Sequence, residues 1–373
     1  MPLHPTVTVA GSLSAGSPTV HSCDVTMTTT CGGFFDPTAG TGVSASANWK
    51  ITDFGLTSAN IRAAELNAEA AQSGITVSTL DVRRDVEISY LEALARRRLT
   101  LVADATVKSE EAHLDQAKRF VAAGAKDPIE VAQAQSRAAN ARSTLAQAQS
   151  NEAVALANLR AAIGWVDPTR APAVDPAWPV PSEQDPQDLP VLVTAARSHR
   201  PEITQLDKQI LAADASLDAA HAERRPSLAA NASTQWSPGT NDWSPQPSWT
   251  AGLVLSWVLW DGGRSAADVR IARANLQSAI ASRDALLVSL TSALESSRAE
   301  IVANRANVQA STEAITAAQA QLKLAEARYA QGLGSQIELA DAQTAVTTAS
   351  GNLITAEWQL ADAWATLRRA LGG

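Results

Sequence analysis

Residues 280–329 read IASRDALLVSLTSALESSRAEIVANRANVQASTEAITAAQAQLKLAEARY, with an apolar side chain at every seventh position: Ile280, Leu287, Leu294, Ile301, Val308, Ile315, Leu322 and Tyr329. One apolar residue in seven is half of a heptad, and marks a seam along which a helix packs on other helices. At ~1.5 Å per residue, 264–331 would run roughly 100 Å, so it needs lateral partners along its whole length. Gly332-Leu333-Gly334-Ser335 then turns the chain. Leu339, Val346, Leu353, Leu360 and Leu367 carry a second seven-residue row back to Leu371. Residues 263–371 therefore read as a long helix, a tight turn and a return helix.

The rest of the composition suits that reading. Aromatics are 4% of 373 residues, and the 45% hydrophobic content is spread thinly as Ala and single Leu, Ile or Val. This favours close helix packing over a bulky core. The net charge of −8 argues against nucleic acid as a partner. No run of about 18 apolar residues exists, so no transmembrane helix is expected.

Shifting the chain against itself by 208 residues gives a long match. Trp49 falls on Trp257, Asp53 on Asp261, Gly124 on Gly332, Glu130 on Glu338, Gln135 on Gln343, Leu159 on Leu367 and Arg160 on Arg368. Phe120 and Tyr329 look equivalent but are offset by 209, which suggests a first turn one residue longer than the second. The chain is a tandem duplication, each copy carrying a helical hairpin. Between the copies Pro168, Pro172, Pro176, Pro179, Pro181, Pro186 and Pro190 exclude regular structure.

Ahead of each hairpin the period changes to two. Val43, Ala45, Ala47, Trp49 and Ile51 alternate with Ser44, Ser46, Asn48, Lys50 and Thr52, and Leu3 to Leu13 alternate likewise. In the second copy a strand runs from Arg225-Pro226 to Trp236. Trp249, Ala251, Leu253, Leu255, Trp257 and Leu259 then form one apolar face. These are strands with one apolar and one polar side. Five of the ten Trp lie between 236 and 260, as in the aromatic girdles of a membrane barrel. The other reading is a two-faced sheet on a soluble core, but long helices offer two hairpins no compact core. Asp53 and Asp261, at strand-to-helix junctions, are natural caps.

The fold class is α+β, and the boundaries follow. Residues 1–53 form the first β-hairpin, with a loop holding Cys23 and Cys31, and 54–164 the first long helical hairpin. Residues 165–190 are a Pro-rich connector and 191–224 a helix, the amphipathic pattern spanning Leu189–Arg224. Residues 225–261 form the second β-hairpin and 262–373 the second long helical hairpin. No His pair accompanies the two cysteines, so they form either a loop disulfide in an oxidising compartment or two free thiols.

This duplicated plan resembles the TolC family of outer-membrane efflux and secretion ducts over nearly the whole chain. The most specific part is Arg328-Tyr329-Ala330-Gln331-Gly332-Leu333-Gly334-Ser335, continuing Ile337-Glu338-Leu339-Ala340-Asp341-Ala342-Gln343, with the strand exit Leu259-Trp260-Asp261-Gly262-Gly263-Arg264. The resemblance implies a homotrimer, each copy giving four strands to a twelve-stranded transmembrane β-barrel while the helices form an α-barrel through the periplasm. It implies as partners outer-membrane lipid, a periplasmic adaptor (membrane fusion) protein and an inner-membrane pump. The turns at Gly124, Lys126, Gly332 and Gly334 would dock the adaptor. Some family members carry a basic residue where Gly334 stands; Lys126 occupies the matching place in the first copy.

Met1 to Pro5 shows no basic or apolar leader, and nothing like the 189–224 helix precedes Leu3. The expectation is a truncated gene or a start placed too late, rather than a cytoplasmic homologue.

Glu130, Glu338 and Asp341 lie near the turns and would become rings of carboxylates in a trimer. One reading is a periplasmic constriction that favours cations; the other is a solvated helix face. Tyr329 either braces the closed tip, as the resemblance suggests, or ends the heptad row. Gly332 and Gly334 suit positive φ in a tight turn. His4, His21, His113, His199 and His221 show no metal spacing, no Ser lies in a nucleophile elbow, and no phosphate loop is present. No enzyme and no cofactor are expected. The function expected is a passive exit duct of a tripartite efflux pump or type I secretion system, in a Gram-negative outer membrane. The alternatives are a periplasmic helical-hairpin scaffold or adaptor, and a nonfunctional truncated product.

Overall fold

The computed structural model describes residues 4–16, 38–167, 172–175, 186–239 and 242–373; Cys23 and Cys31 lie outside them. In chain order the elements are β1 (Thr6–Gly16), β2 (Thr38–Thr52), α1 (Leu56–Ala122), α2 (Ile129–Ile163), α3 (Leu189–His199), α4 (Pro201–Ala222), β3 (Ser227–Gly239), β4 (Asp242–Ser256), α5 (Arg264–Ala330) and α6 (Gln336–Leu371). α1 and α5 are both 67 residues long. The chain divides into two units, residues 1–70 with 206–282, and residues 71–205 with 283–373.

The first unit holds one antiparallel sheet in the order β1-β2-β3-β4. Its register carries the alternation straight across four strands. Val7 pairs with Ala47, Ala47 with Ala232 and Ala232 with Ala251. Val9 likewise leads through Ala45 and Thr234 to Trp249. On the opposite face Thr8, Ser46, Ser233 and Thr250 form a continuous row, as do Thr6, Asn48, Asn231 and Gly252. One side is thus apolar and the other small and polar. The apolar side is open: Val9 is 70% exposed, Leu253 70% and Trp249 79%.

β4 stops at Ser256, three residues short of the expected Leu259, because its partner begins at Ser227 and Ser227 pairs with Ser256. Trp257 leaves the ladder, and its indole Nε1 donates to the Arg224 carbonyl at 3.2 Å. Both aspartates cap as expected. Asp53 accepts from the Thr57 N–H at 3.0 Å. Asp261 accepts from the N–H groups of Gly263 at 2.9 Å and Ser265 at 2.8 Å. Hydrogen bonds from the Ser265 hydroxyl and backbone hold the Asp261 carboxyl down at about 2.

The second unit is built on seams of single Leu, Ile or Val side chains interleaved with Ala. Leu290, Leu294 and Ile301 of α5 pack with Leu360, Ala363 and Leu367 of α6 and with Leu192 and Ala196 of α3. Ala93 and Leu94 of α1 pack with Ala155 and Leu159 of α2. The heptad residues Leu294, Ile301, Tyr329, Leu339, Leu360 and Leu367 are all buried. The described part of the connector lies on α1. Val174 joins the Leu94 cluster, its carbonyl accepts from Arg97 Nη1 at 3.1 Å, and the Asp175 N–H donates to the Tyr90 hydroxyl at 3.1 Å.

The continuous helix expected over 189–224 is two helices. Arg200 adopts φ −80°, ψ 116° ahead of Pro201, because a proline ring disfavours helical backbone at the residue before it. The break is fixed by charge. Arg369 is 6% exposed; its Nε donates to Asp81 at 2.9 Å and its Nη2 to Glu202 at 2.5 Å.

Candidate functional site

The two hairpin turns are built alike. Gly124 (φ 69°) and Gly332 (φ 73°) occupy the left-handed region. The Gly124 N–H bonds to the Val121 carbonyl at 3.0 Å and the Ala125 N–H to Phe120 at 2.9 Å. The Gly332 N–H bonds to Tyr329 at 3.0 Å and the Leu333 N–H to Arg328 at 2.9 Å. Each is the paired C-terminal bonding by which a helix satisfies its last carbonyls through a left-handed glycine. The bonds obey the 208-residue offset, so Phe120 corresponds to Arg328 and Val121 to Tyr329. Phe120 and Tyr329 are not equivalent positions. They are partners, ring centroids 5.8 Å apart and edge to face at 66°.

Tyr329 is 2% exposed and centres a small polar cluster. Its hydroxyl donates to Glu130 Oε2 at 3.2 Å. Lys126 Nζ stands 3.5 Å from Glu130 Oε1 and 5.4 Å from the Tyr329 ring centroid. The Gln336 side chain, itself buried, donates to the Glu130 carbonyl at 3.1 Å. Burial, and then the Glu130 charge and hydrogen bond, push the Tyr329 phenol up to about 12. The neutral phenol is the form that can donate to a carboxylate in a partly dry site.

The acidic residues separate. Glu130 belongs to the tyrosine cluster. Glu338 is turned to Arg328, whose Nη1 is 3.1 Å from its Oε1, while its backbone N–H caps on Ser335 Oγ at 3.1 Å. Asp341 is exposed and lines a groove between α5 and α6 with Ala314, Ala318, Gln321 and Thr344. The four expected constriction residues therefore form one pair, Tyr329 with Glu130, and two isolated positions. Among the docking-turn residues, Gly334 is confined. A Cβ there would stand 3.0 Å from the Tyr329 nitrogen and 3.2 Å from the Arg328 carbonyl carbon. Its role is close approach; positive φ belongs to Gly332.

Sequence reasoning missed Gln336, Arg328 and Phe120 as members of the site. A usable signal existed for the first. Gln336 and Gln343 are seven apart, and both are buried, so a polar side chain repeats on a packing face.

Residues 1–165 and 192–373 match the family described as outer membrane efflux protein. Nodulation protein T of Rhizobium leguminosarum bv. trifolii is 22% identical over 330 residues, 88% of this chain and 70% of that protein. The toluene efflux pump outer membrane protein TtgI of Pseudomonas putida is 24% identical over 311 residues, 83% of this chain and 65% of its own. Among solved structures, CusC superposes with TM-score 0.81 at 19% identity, covering 99% of this chain and 83% of that one. The open state of the Neisseria gonorrhoeae MtrE outer membrane channel gives 0.78 at 18%, covering 100% and 81%.

Proposed function

The chain belongs to the outer membrane efflux protein family, and on that premise we propose that it serves as an exit duct of a tripartite efflux pump or type I secretion system. It is a passive conduit through the outer membrane and the periplasm. The observation that carries the reading is the sheet. Four strands of 11 to 15 residues present an open apolar face on one side and a small polar face on the other. About 9–11 tilted residues suffice to cross a bilayer, and lipid against one side with water against the other is what such alternation serves.

Oligomerisation follows from the edges. Within the described residues, β1 and β4 each pair on one side only, and an open edge in lipid would leave backbone groups unsatisfied. Three copies giving four strands each would close the barrel, and the helices of the three copies would line the duct. The scaffold reading has no use for an apolar sheet face of this extent.

The turns at Gly124 and Gly332, with Lys126 and Gly334, form the surface for a periplasmic adaptor that links the duct to an inner-membrane pump. The Tyr329–Glu130 hydrogen bond braces the closed tip, with Glu338 and Asp341 adding carboxylates that favour cations. Single-channel recording on the chain targeted to the outer membrane tests both levels. Discrete conductance steps are expected, larger in Glu130→Ala, which removes the acceptor of the Tyr329 hydroxyl, with weaker cation preference in Glu338→Gln/Asp341→Asn. A monomer that stays soluble without detergent and conducts nothing would sink the duct. Unaltered conductance in the variants would sink the constriction alone.

A further inference from the structure

Within the unit of residues 71–205 and 283–373, four arginines surround one small cavity where α1 meets the end of α6. Arg83 and Arg84 come from α1, Arg368 and Arg369 from α6, and Glu87 and Ala365 stand beside them. The cavity measures about 30 Å³. Its wall thus carries four cations and a single carboxylate. Like charges gathered in a packed seam are costly unless something answers them.

The protein answers them only in part. Arg84 Nη2 lies 2.6 Å from Asp85 Oδ1, and Arg368 pairs with Glu87. Arg369 gives its Nε to Asp81 and its Nη2 to Glu202, and Glu202 is shared with Arg200, whose Nε is 3.2 Å from its Oε2. Arg83 is exposed and has no ion pair among the described residues.

The deciding atom is the third nitrogen of Arg369. The residue is 6% exposed, and its Nη1 is buried with no hydrogen-bond partner among the described residues. A charged donor left unmade in the interior is expensive, and native structures rarely carry one. A water in the cavity would take the Nη1 proton and leave the surplus of positive charge. An anion answers both. Holding one water takes about 10–15 Å³, so this cavity suits a single small ion. Glu87 on the wall disfavours a second negative charge on it.

We propose that the cavity binds one small monovalent inorganic anion of the size of chloride, held by Arg369 Nη1 with Arg83 at the mouth. Guanidinium groups are well suited to this, being always charged and weakly hydrated. Arg369 already ties α1 to α4 through Asp81 and Glu202. A bound anion fastens it to α1 a second time, through Arg83, so the junction of α1, α4 and α6 tightens when the site is filled.

The test uses the full chain purified in detergent, with gluconate replaced stepwise by chloride at constant ionic strength. General screening is then unchanged, and gluconate is too bulky for the cavity. The melting midpoint is expected to rise along a saturable curve as chloride replaces gluconate. In Arg83→Gln, which breaks no ion pair, the chloride concentration at half-saturation should increase several-fold. Crystals soaked in bromide should show an anomalous peak beside Arg369 Nη1. Arg369→Gln is expected to lose both responses; if it fails to fold, Arg83→Gln and the bromide peak decide. Equal midpoints in chloride and gluconate with no bromide peak would mean that the cavity holds only water, and would overturn the proposal. A saturable chloride effect undiminished in Arg83→Gln, with bromide bound elsewhere, would overturn it too.

Discussion

Tyr329 shows how one side chain changes meaning between sequence and structure. In the sequence it is the last member of a heptad row. In the structure its ring meets Phe120 and its hydroxyl meets Glu130, contacts that run across the hairpins and leave no trace in a local period. Its phenol is raised from 10.0 to about 12, so the folded state holds its proton more tightly than the unfolded one. The stability this contributes is fully present below pH 10 and lost as pH rises through about 12. Conductance is therefore expected to rise between those values in the wild type, and the rise should vanish in Tyr329→Phe. A Tyr329→Phe channel with the same alkaline transition would remove Tyr329 from the brace. Gly332 makes a simpler case: Gly332→Ala forces φ 73° on a residue with a Cβ and should lower stability by about 1 kcal/mol. Thermal unfolding would read the drop.

At the scale of elements the hairpins were legible, because a seven-residue apolar row and a repeat offset of 208 are strong signals. The ends of elements were less so. The amphipathic pattern runs through Pro201 and joins α3 to α4 in sequence, whereas the proline acts on the backbone of Arg200. What locks that elbow is long-range. Glu202 takes a bond from Arg369, and Gly372 (φ 92°) passes so close that a Cβ would stand 2.8 Å from the His199 carbonyl oxygen. Gly372→Ala combines a backbone clash with a left-handed residue, and is expected to destabilise the chain by more than about 1 kcal/mol. The heptad core gives a larger effect. Leu294 is fully buried among α3, α5 and α6, and Leu294→Ala should cost about 2–5 kcal/mol. Ile280, in the same row but 37% exposed, should cost distinctly less on truncation. Equal losses in a melting series would mean that the row is not a packing seam at that level.

Across the molecule, the sheet was the most legible feature and the arrangement at the turns the least. Alternation fixes which side chains share a face, and one register then propagates it: Val9, Ala45, Thr234 and Trp249 stand in one row, Thr8, Ser46, Ser233 and Thr250 in the next. The duplication brings β2 of the first repeat against β3 of the second, so both hairpins expose the same face to the same solvent. If that solvent is lipid, the two faces must respond oppositely to the same charge. Leu253→Arg places a guanidinium on the open apolar side, where a charge near the bilayer midplane costs about 2–4 kcal/mol. Ser233→Arg places it on the polar side, where water can solvate it. The expectation is that Leu253→Arg sharply lowers the amount of assembled, heat-resistant oligomer recovered from outer membranes. Ser233→Arg should assemble normally and shift ion selectivity toward anions, because a ring of positive charge in a water-filled lumen repels cations. The reverse result, with Ser233→Arg lost from the membrane and Leu253→Arg assembling freely, would turn the sheet inside out. Equal tolerance of both would mean that neither face meets lipid.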